Sequence, residues 1–203
     1  MKIKTALLCV GLFVCVLWVS SCNKPVTDDE VAVLETTYGR IVIEFLPNIA
    51  PKHTANFKEL ARDGFYDGTR FHRIVVDKGK PMAIQGGDPN TIAGDPATWG
   101  QGQRDQKTVP AEFTATMKHE RGIVSAARKG NDVNSATSQF FICTAAQPGF
   151  DGLYSIFGRV VEGMNVVDTI ARAPILAKTE RPVDPVVVNR VYIIKRAELK
   201  KEQ

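Results

Sequence analysis

Three short strings hold the side chains best suited to chemistry: Phe71-His72-Arg73, then Gln85-Gly86-Gly87-Asp88, then Ser138-Gln139-Phe140-Phe141 with Ile142-Cys143-Thr144 behind it. A guanidinium offers several rigidly placed donors and holds its charge, which suits it to stabilising electron density rather than moving protons. His72 is the obvious candidate for a general base, but in a regular strand it points away from the face that carries Arg73, so it reads as structural. The same two-residue period puts Gln139 and Phe141 on one face and Phe140 and Ile142 on the other, so one pair can pack inside while the other lines a surface groove. Gly86-Gly87 is not a phosphate cradle, because its spacing fits neither the dinucleotide nor the P-loop pattern and no Lys-Ser/Thr follows. His53, His72 and His119 lack the paired spacing of a metal site, and no metal is expected. Cys143 lies in an apolar run and reads as a small buried hydrophobe rather than a reactive thiol.

The elements that must position these residues are mostly strands. Residues 31–36 and 40–46 are apolar and β-branched around Thr37-Tyr38-Gly39, which predicts a hairpin. Pro51 suits a first helical position, with Phe57, Leu60 and Ala61 on one face before Asp63-Gly64 ends the helix. A second helix is predicted over 163–171, where Met164, Val167, Ile170 and Ala171 form one stripe. Short strands are predicted near 71–75, 84–86, 123–127, 139–144, 156–160 and 186–194, with a long Gly- and Pro-rich loop over 89–110. Many strands, two distant helices and no regular β-α alternation exclude a doubly wound sheet and favour a closed antiparallel barrel, mainly β.

The N-terminus reads separately. Lys2 and Lys4 precede an apolar run ending near Val19, the layout of a secretory signal, too short for a comfortable membrane span. Val19-Ser20-Ser21-Cys22 resembles a bacterial lipobox, so residues 1–21 are expected to be a lipoprotein signal peptide and Cys22 the lipidated mature N-terminus. Residues 22–30 read as a flexible linker, 31–196 as one domain and 197–203 as a polar, solvated tail. Removing residues 1–21 takes away Lys2 and Lys4 and no acid, so the 26 basic and 22 acidic residues become 24 and 22. That near-neutral balance, with no basic stripe among aromatics, excludes nucleic acid as a partner.

The three strings in this order resemble the cyclophilin family of peptidyl-prolyl cis-trans isomerases. The likeness extends to Ala50-Pro51, Asn56-Phe57 and Tyr66-Asp67-Gly68 upstream, and to Phe150-Asp151-Gly152, Phe157-Gly158-Arg159-Val160 and Glu162-Gly163 downstream. The resemblance implies an eight-stranded barrel with a helix capping each end, no cofactor, and proline-containing polypeptide segments as partners. It implies Arg73 as the catalytic residue and Phe141 as the floor of a proline pocket. It also implies Gln85 and Gln139 as hydrogen-bonding partners of peptide backbone, the main chain of Ala127 and Arg128 as a dock for an extended peptide, and Met82, Ala83, Phe150 and Tyr154 as further substrate-binding positions.

The chain departs from the family in places. The segment between Arg73 and Gln85 is longer than usual, with 77–81 as the apparent extra loop. The usual Phe-Met pair is Met82-Ala83, which predicts a roomier pocket, and Phe150 stands where leucine is common. Taken together, the expectation is a monomeric isomerase assisting exported proteins, held to the bacterial cell envelope by its lipid anchor alone, on the periplasmic side of the inner or outer membrane or at the cell surface. The competing reading is a catalytically weak peptide-binding module or adaptor on the same fold.

Overall fold

The computed structural model describes residues 28–177 and 179–199. Glu30–Thr36 (β1) and Gly39–Phe45 (β2) form the expected hairpin. Thr36 Oγ1 donates to the Gly39 carbonyl at 2.7 Å to close its turn. Both faces of the hairpin are buried. Ala32, Leu34, Ile41 and Ile43 face the main core, while Val31, Val33 and Val42 gather on the opposite face with Leu199. The 197–203 tail is thus not wholly solvated: its described part turns back, and Leu199 is buried because it covers apolar surface that the sheet would otherwise expose.

Pro51–Arg62 (α1) begins on Pro51, where a missing amide costs no intrahelical bond, and buries Phe57 and Ala61. Then come Arg73–Asp77 (β3), Lys80–Gly86 (β4), Asn90–Ala93 (α2), Ile123–Ala126 (β5), Phe140–Cys143 (β6), Ile156–Glu162 (β7), Met164–Ala171 (α3) and Val188–Lys195 (β8). The stripe Val166, Val167, Ile170 and Ala171 of α3 enters the same core. Gly163 precedes it with φ +88°, and a Cβ there would collide with the Arg40 carbonyl, so this turn requires glycine.

The strands pair antiparallel in the order β3-β4-β6-β5-β7-β2-β1-β8. The expected closed barrel is here a curled sheet with two edges, because β3 and β8 share no ladder. Irregular chain spans the seam instead. Arg70 and Val187 form an isolated bridge, Phe71 donates to Val186 O at 3.0 Å, and Val188 donates to Thr69 O at 2.8 Å. Inside, Phe57 stacks on Tyr66 at 4.8 Å and meets Phe140 edge-on at 5.4 Å, with Phe71 against Phe140 at 6.1 Å.

Two segments expected to be loops carry structure. Residues 77–81 are the tip of the β3–β4 hairpin, with Asp77 paired to Lys80 and Lys78-Gly79 turning at φ +47° and +77°. Two consecutive positive φ values give the two-residue turn whose twist matches paired strands, but Lys-Gly stands where Asn-Gly usually announces it. The register shifts between Val75 and Val76, a bulge that accommodates Pro81 without its missing donor. The 89–110 loop contains α2 and a 3₁₀ turn at Pro96–Thr98.

The proposed signal segment and Cys22 lie outside the described residues. Just after them, Asp28 and Glu30 pair with Lys58 of α1 at 2.6 and 2.8 Å. Among the described residues, no helix is long and apolar enough to cross a membrane.

Candidate active site

Strands β3, β4 and β6 lie side by side, and their register aligns Arg73 with Gln85 and Gln85 with Phe141. The period of two turns Phe140 and Ile142 into the main core, while Phe141 and Cys143 face the other way with Ala83. There Phe141 and Ala83 floor a cavity of about 360 Å³ walled by Phe150 and Tyr154. Phe141 meets Tyr154 at 5.2 Å and Phe150 at 5.6 Å, both edge-on, an arrangement that fixes the apolar walls. Arg73, Gln85, Ala127 and Arg128 complete the rim, joined by Val75, Gly100, Lys129 and Gly130. A larger cleft of about 550 Å³ lies elsewhere, near Asp28, Glu44 and Arg196, and contains none of the expected site residues.

The polar side chains at the rim form one chain. Arg73 Nη1 donates to Gln85 Oε1 at 3.2 Å, Gln85 Nε2 to Gln139 Oε1 at 2.9 Å, and Gln139 Nε2 to the Gly100 carbonyl at 3.1 Å. On its other side, Arg73 Nε donates to Glu180 Oε2 at 2.6 Å. Gln139 lies just outside the apolar cavity, in an adjoining small cleft with Ala127, Arg128 and Lys129. The Arg128 guanidinium sits over the Tyr154 ring, 5.0 Å from its centroid, and donates to Leu153 O at 3.0 Å, so it covers one wall. The Ala127 amide donates to the Gln139 carbonyl at 2.9 Å.

The Gln85-Gly86-Gly87-Asp88 string acts as scaffold beyond its glutamine. A Cβ on Gly87, at φ +82°, would stand 2.7 Å from the Ser138 carbonyl. Asp88 is fully buried and accepts from Gly100 N at 2.5 Å and Asn90 N at 3.0 Å, which holds the long loop against the site.

Met82 does not line this cavity: it alternates with Ala83 along β4 and sits at the bulge opposite Val75 and Val76. Val75 and Gly100 went unforeseen. Val75 was accessible in principle, as the residue two beyond Arg73 on the same strand face, whereas nothing local marks Gly100.

Behind Phe141 lies a buried polar chain. Asp151 Oδ1 and His119 Nδ1 are 3.0 Å apart, and His119 Nε2 and Ser125 Oγ are 3.1 Å apart. The order matches a hydrolytic triad, yet Ser125 has no exposed surface, so no acyl substrate reaches it. The His119 ring instead stacks on Phe141 at 6.1 Å and 18°, and so backs the pocket floor. Cys143 is buried, and burial pushes its thiol up to about 12, leaving it a packing residue. Among the described residues, no group of three or more His, Cys, Asp or Glu is placed to hold a metal.

Burial holds His53, His72 and His119 below the ordinary value of 6.5. Glu112 opposes the shift at His53, Asp88 at His72 and Asp151 at His119. The unfolded chain therefore binds protons near pH 6.5 that the folded chain refuses. Stability from these residues is complete above that pH and falls as the pH drops below it, by at most about 1.4 kcal/mol per pH unit for each histidine. The urea midpoint is expected to fall between pH 7.5 and pH 5, and an unchanged midpoint would contradict the neutral buried imidazoles.

Comparison with known proteins agrees with this geometry. Residues 31–193 match the family model described as cyclophilin type peptidyl-prolyl cis-trans isomerase/CLD. Peptidyl-prolyl cis-trans isomerase-like 1 of Homo sapiens is 39% identical over 160 residues, covering 78% of this chain and 89% of that protein. The isomerase-like 2 protein of Rhizopus delemar is 36% identical over 172 residues, 84% of this chain but only 30% of its own length. A Cryptosporidium parvum cyclophilin solved in the presence of the dipeptide Ala-Pro superposes with a TM-score of 0.71 at 29% identity, over 82% of this chain and 99% of that one. The cyclophilin AquaCyp293 of Hirschia baltica gives 0.65 at 28% identity, over 81% of this chain and 74% of its own. The sheet, the apolar cavity beside an arginine and these likenesses converge: the chain belongs to the cyclophilin-type peptidyl-prolyl cis-trans isomerase family.

Proposed function

We propose that this chain rotates X-Pro peptide bonds in exported polypeptides, with Arg73 as its catalytic residue. The observation that carries the reading is the Arg73 guanidinium at the mouth of an apolar cavity floored by Phe141, its plane set by two side-chain acceptors. Rotation about an amide crosses a barrier of about 18–20 kcal/mol, because twisting destroys resonance. The prolyl nitrogen then becomes pyramidal and gains a lone pair that the planar amide lacks. A donor aimed at that nitrogen stabilises the twisted state alone, the condition for raising the rate. The apolar cavity helps by disfavouring the charge-separated resonance form of the planar amide. An acceleration of about 10⁵ needs about 7 kcal/mol from these effects together. No proton moves, so neither His72 nor His119 is required as a base.

Proline-containing segments would bind extended, with the proline ring against Phe141 and the flanking backbone near Gln85, Gln139, Ala127 and Arg128. The small side chain of Ala83 on the floor favours a second reading, a peptide-binding module with weak catalysis. A proline tetrapeptide isomerisation assay separates the two, since the module would leave the rate at its uncatalysed value.

Envelope anchoring rests on the Lys2 and Lys4 run, the apolar segment after it and Val19-Ser20-Ser21-Cys22. Several acyl chains at Cys22 would give stable attachment through burial of methylenes. Mass spectrometry of the mature protein from a bacterial membrane fraction is expected to find a diacylated or triacylated Cys22 at the N-terminus. An unmodified Cys22 there would remove the anchor from the account.

A further inference from the structure

The geometry points to Glu180, in the segment between α3 and β8, as the positioning residue for Arg73. This rests on the catalytic reading of Arg73 above. Strand β3 is an edge of the sheet, and its outer amides face no strand. Glu180 answers two of them, since Ile74 N donates to its backbone carbonyl at 2.7 Å and Val76 N to its Oε1 at 3.1 Å. The remaining carboxylate oxygen, Oε2, accepts from Arg73 Nε at 2.6 Å. Main chain and side chain of one residue are thus fixed to β3 at Ile74 and Val76, on either side of Val75, and the second carboxylate oxygen meets the guanidinium.

An arginine side chain is long and rotamer-rich, and Arg73 is 47% exposed. Packing alone does not hold it. Glu180 takes Nε and Gln85 takes Nη1, so two acceptors on different elements set the guanidinium plane and leave the other Nη donors for substrate. The segment that supplies Glu180 is itself secured. Arg181 Nη2 donates to Pro96 O at 2.6 Å, and its guanidinium lies 5.4 Å from the Trp99 ring centroid. The segment is therefore tied to the long loop that also carries Gly100.

A half-exposed ion pair contributes little to stability, so the value of this pair lies in orientation. The carboxylate also reduces the positive potential that Arg73 presents, but at a solvated site that loss is screened. Misplacing a catalytic group by about 1 Å can cost about 10²-fold in rate, so the positional effect outweighs the screened charge.

The test uses the full chain with a proline tetrapeptide. It compares Glu180→Ala and Glu180→Gln, alone and combined with Arg73→Ala, with peptide affinity measured by NMR titration beside kcat/KM. Glutamine offers one acceptor where glutamate offers two, so it rescues in part. Glu180→Ala is expected to lower kcat/KM about tenfold and Glu180→Gln less, with peptide affinity changed less than twofold. Neither change should lower the rate further in the Arg73→Ala background. A Glu180→Ala rate within twofold of wild type would overturn the proposal, as would the same tenfold loss in the Arg73→Ala background. If Arg73→Ala itself keeps the wild-type rate, the catalytic reading fails instead. Should Glu180→Ala not fold, Glu180→Gln, which keeps one side-chain acceptor, decides by the same two comparisons.

Discussion

Arg73→Ala is expected to lower kcat/KM for X-Pro isomerisation by about two to three orders of magnitude, a loss of about 3–4 kcal/mol of transition-state stabilisation. The folded state should hardly register the change, because the side chain is half exposed and its ion pair with Glu180 is solvated. Arg73→Lys is expected to recover little. An ammonium keeps the charge but cannot bond Glu180 and Gln85 while presenting a further donor at a fixed angle. Protease-free isomerisation kinetics together with thermal melting check both variants. A large fall in melting temperature for Arg73→Ala would mean that the residue supports the fold rather than the reaction.

The second large effect separates two adjacent phenylalanines. Phe140 is 2% exposed and its ring meets those of Phe57, Tyr66 and Phe71 in the main core. Phe140→Ala is expected to cost about 3–5 kcal/mol, a large part of the 5–15 kcal/mol that stabilises a typical domain, and to lower the melting temperature by about 10 °C. Phe141 faces the cavity, touching Tyr154, Phe150 and His119. Phe141→Ala is expected to weaken peptide binding and lower kcat/KM more than tenfold, with a smaller effect on stability because one side of the ring already borders the cavity. Denaturant unfolding and peptide titration on both variants check this. An unfolded Phe141→Ala beside a stable, inactive Phe140→Ala would reverse the two faces of β6.

This pair also marks how far the sequence could be read. The two-residue period of a strand separates Phe140 from Phe141 without any structure, and the β-branched runs and Pro51 likewise announce β1, β2 and α1. Local signals failed where the chain used an unusual device. Lys78-Gly79 makes a two-residue turn without asparagine, so the β3–β4 hairpin looked like an inserted loop. The bulge at Val75 and Val76 shifts the β4 register beside the cavity, which Ala83 lines and Met82 does not. Barrel closure was also beyond local patterns, because the seam between β3 and β8 depends on irregular segments around Thr69 and Glu180.

The site followed the same division. Arg73, Gln85, Gln139 and Phe141 lie in strings whose family resemblance assigns them, and the structure brings them together: Arg73 and Gln85 at the rim, Phe141 on the floor and Gln139 in the adjoining cleft. Gly100 and Glu180 reach that rim from segments with no periodic pattern, Glu180 from 107 positions beyond Arg73. Only the fold puts such residues side by side. The positioning of the guanidinium is therefore the part of the site least visible in the sequence.

The most direct measurement of the central claim is NMR exchange spectroscopy of a proline tetrapeptide with a catalytic amount of the full chain. The account predicts cis-trans exchange cross-peaks within seconds for wild type, where the uncatalysed bond takes tens of seconds or more, and none above background for Arg73→Ala. Exchange at the uncatalysed rate with well-folded wild type, or equal acceleration by wild type and Arg73→Ala, would contradict it.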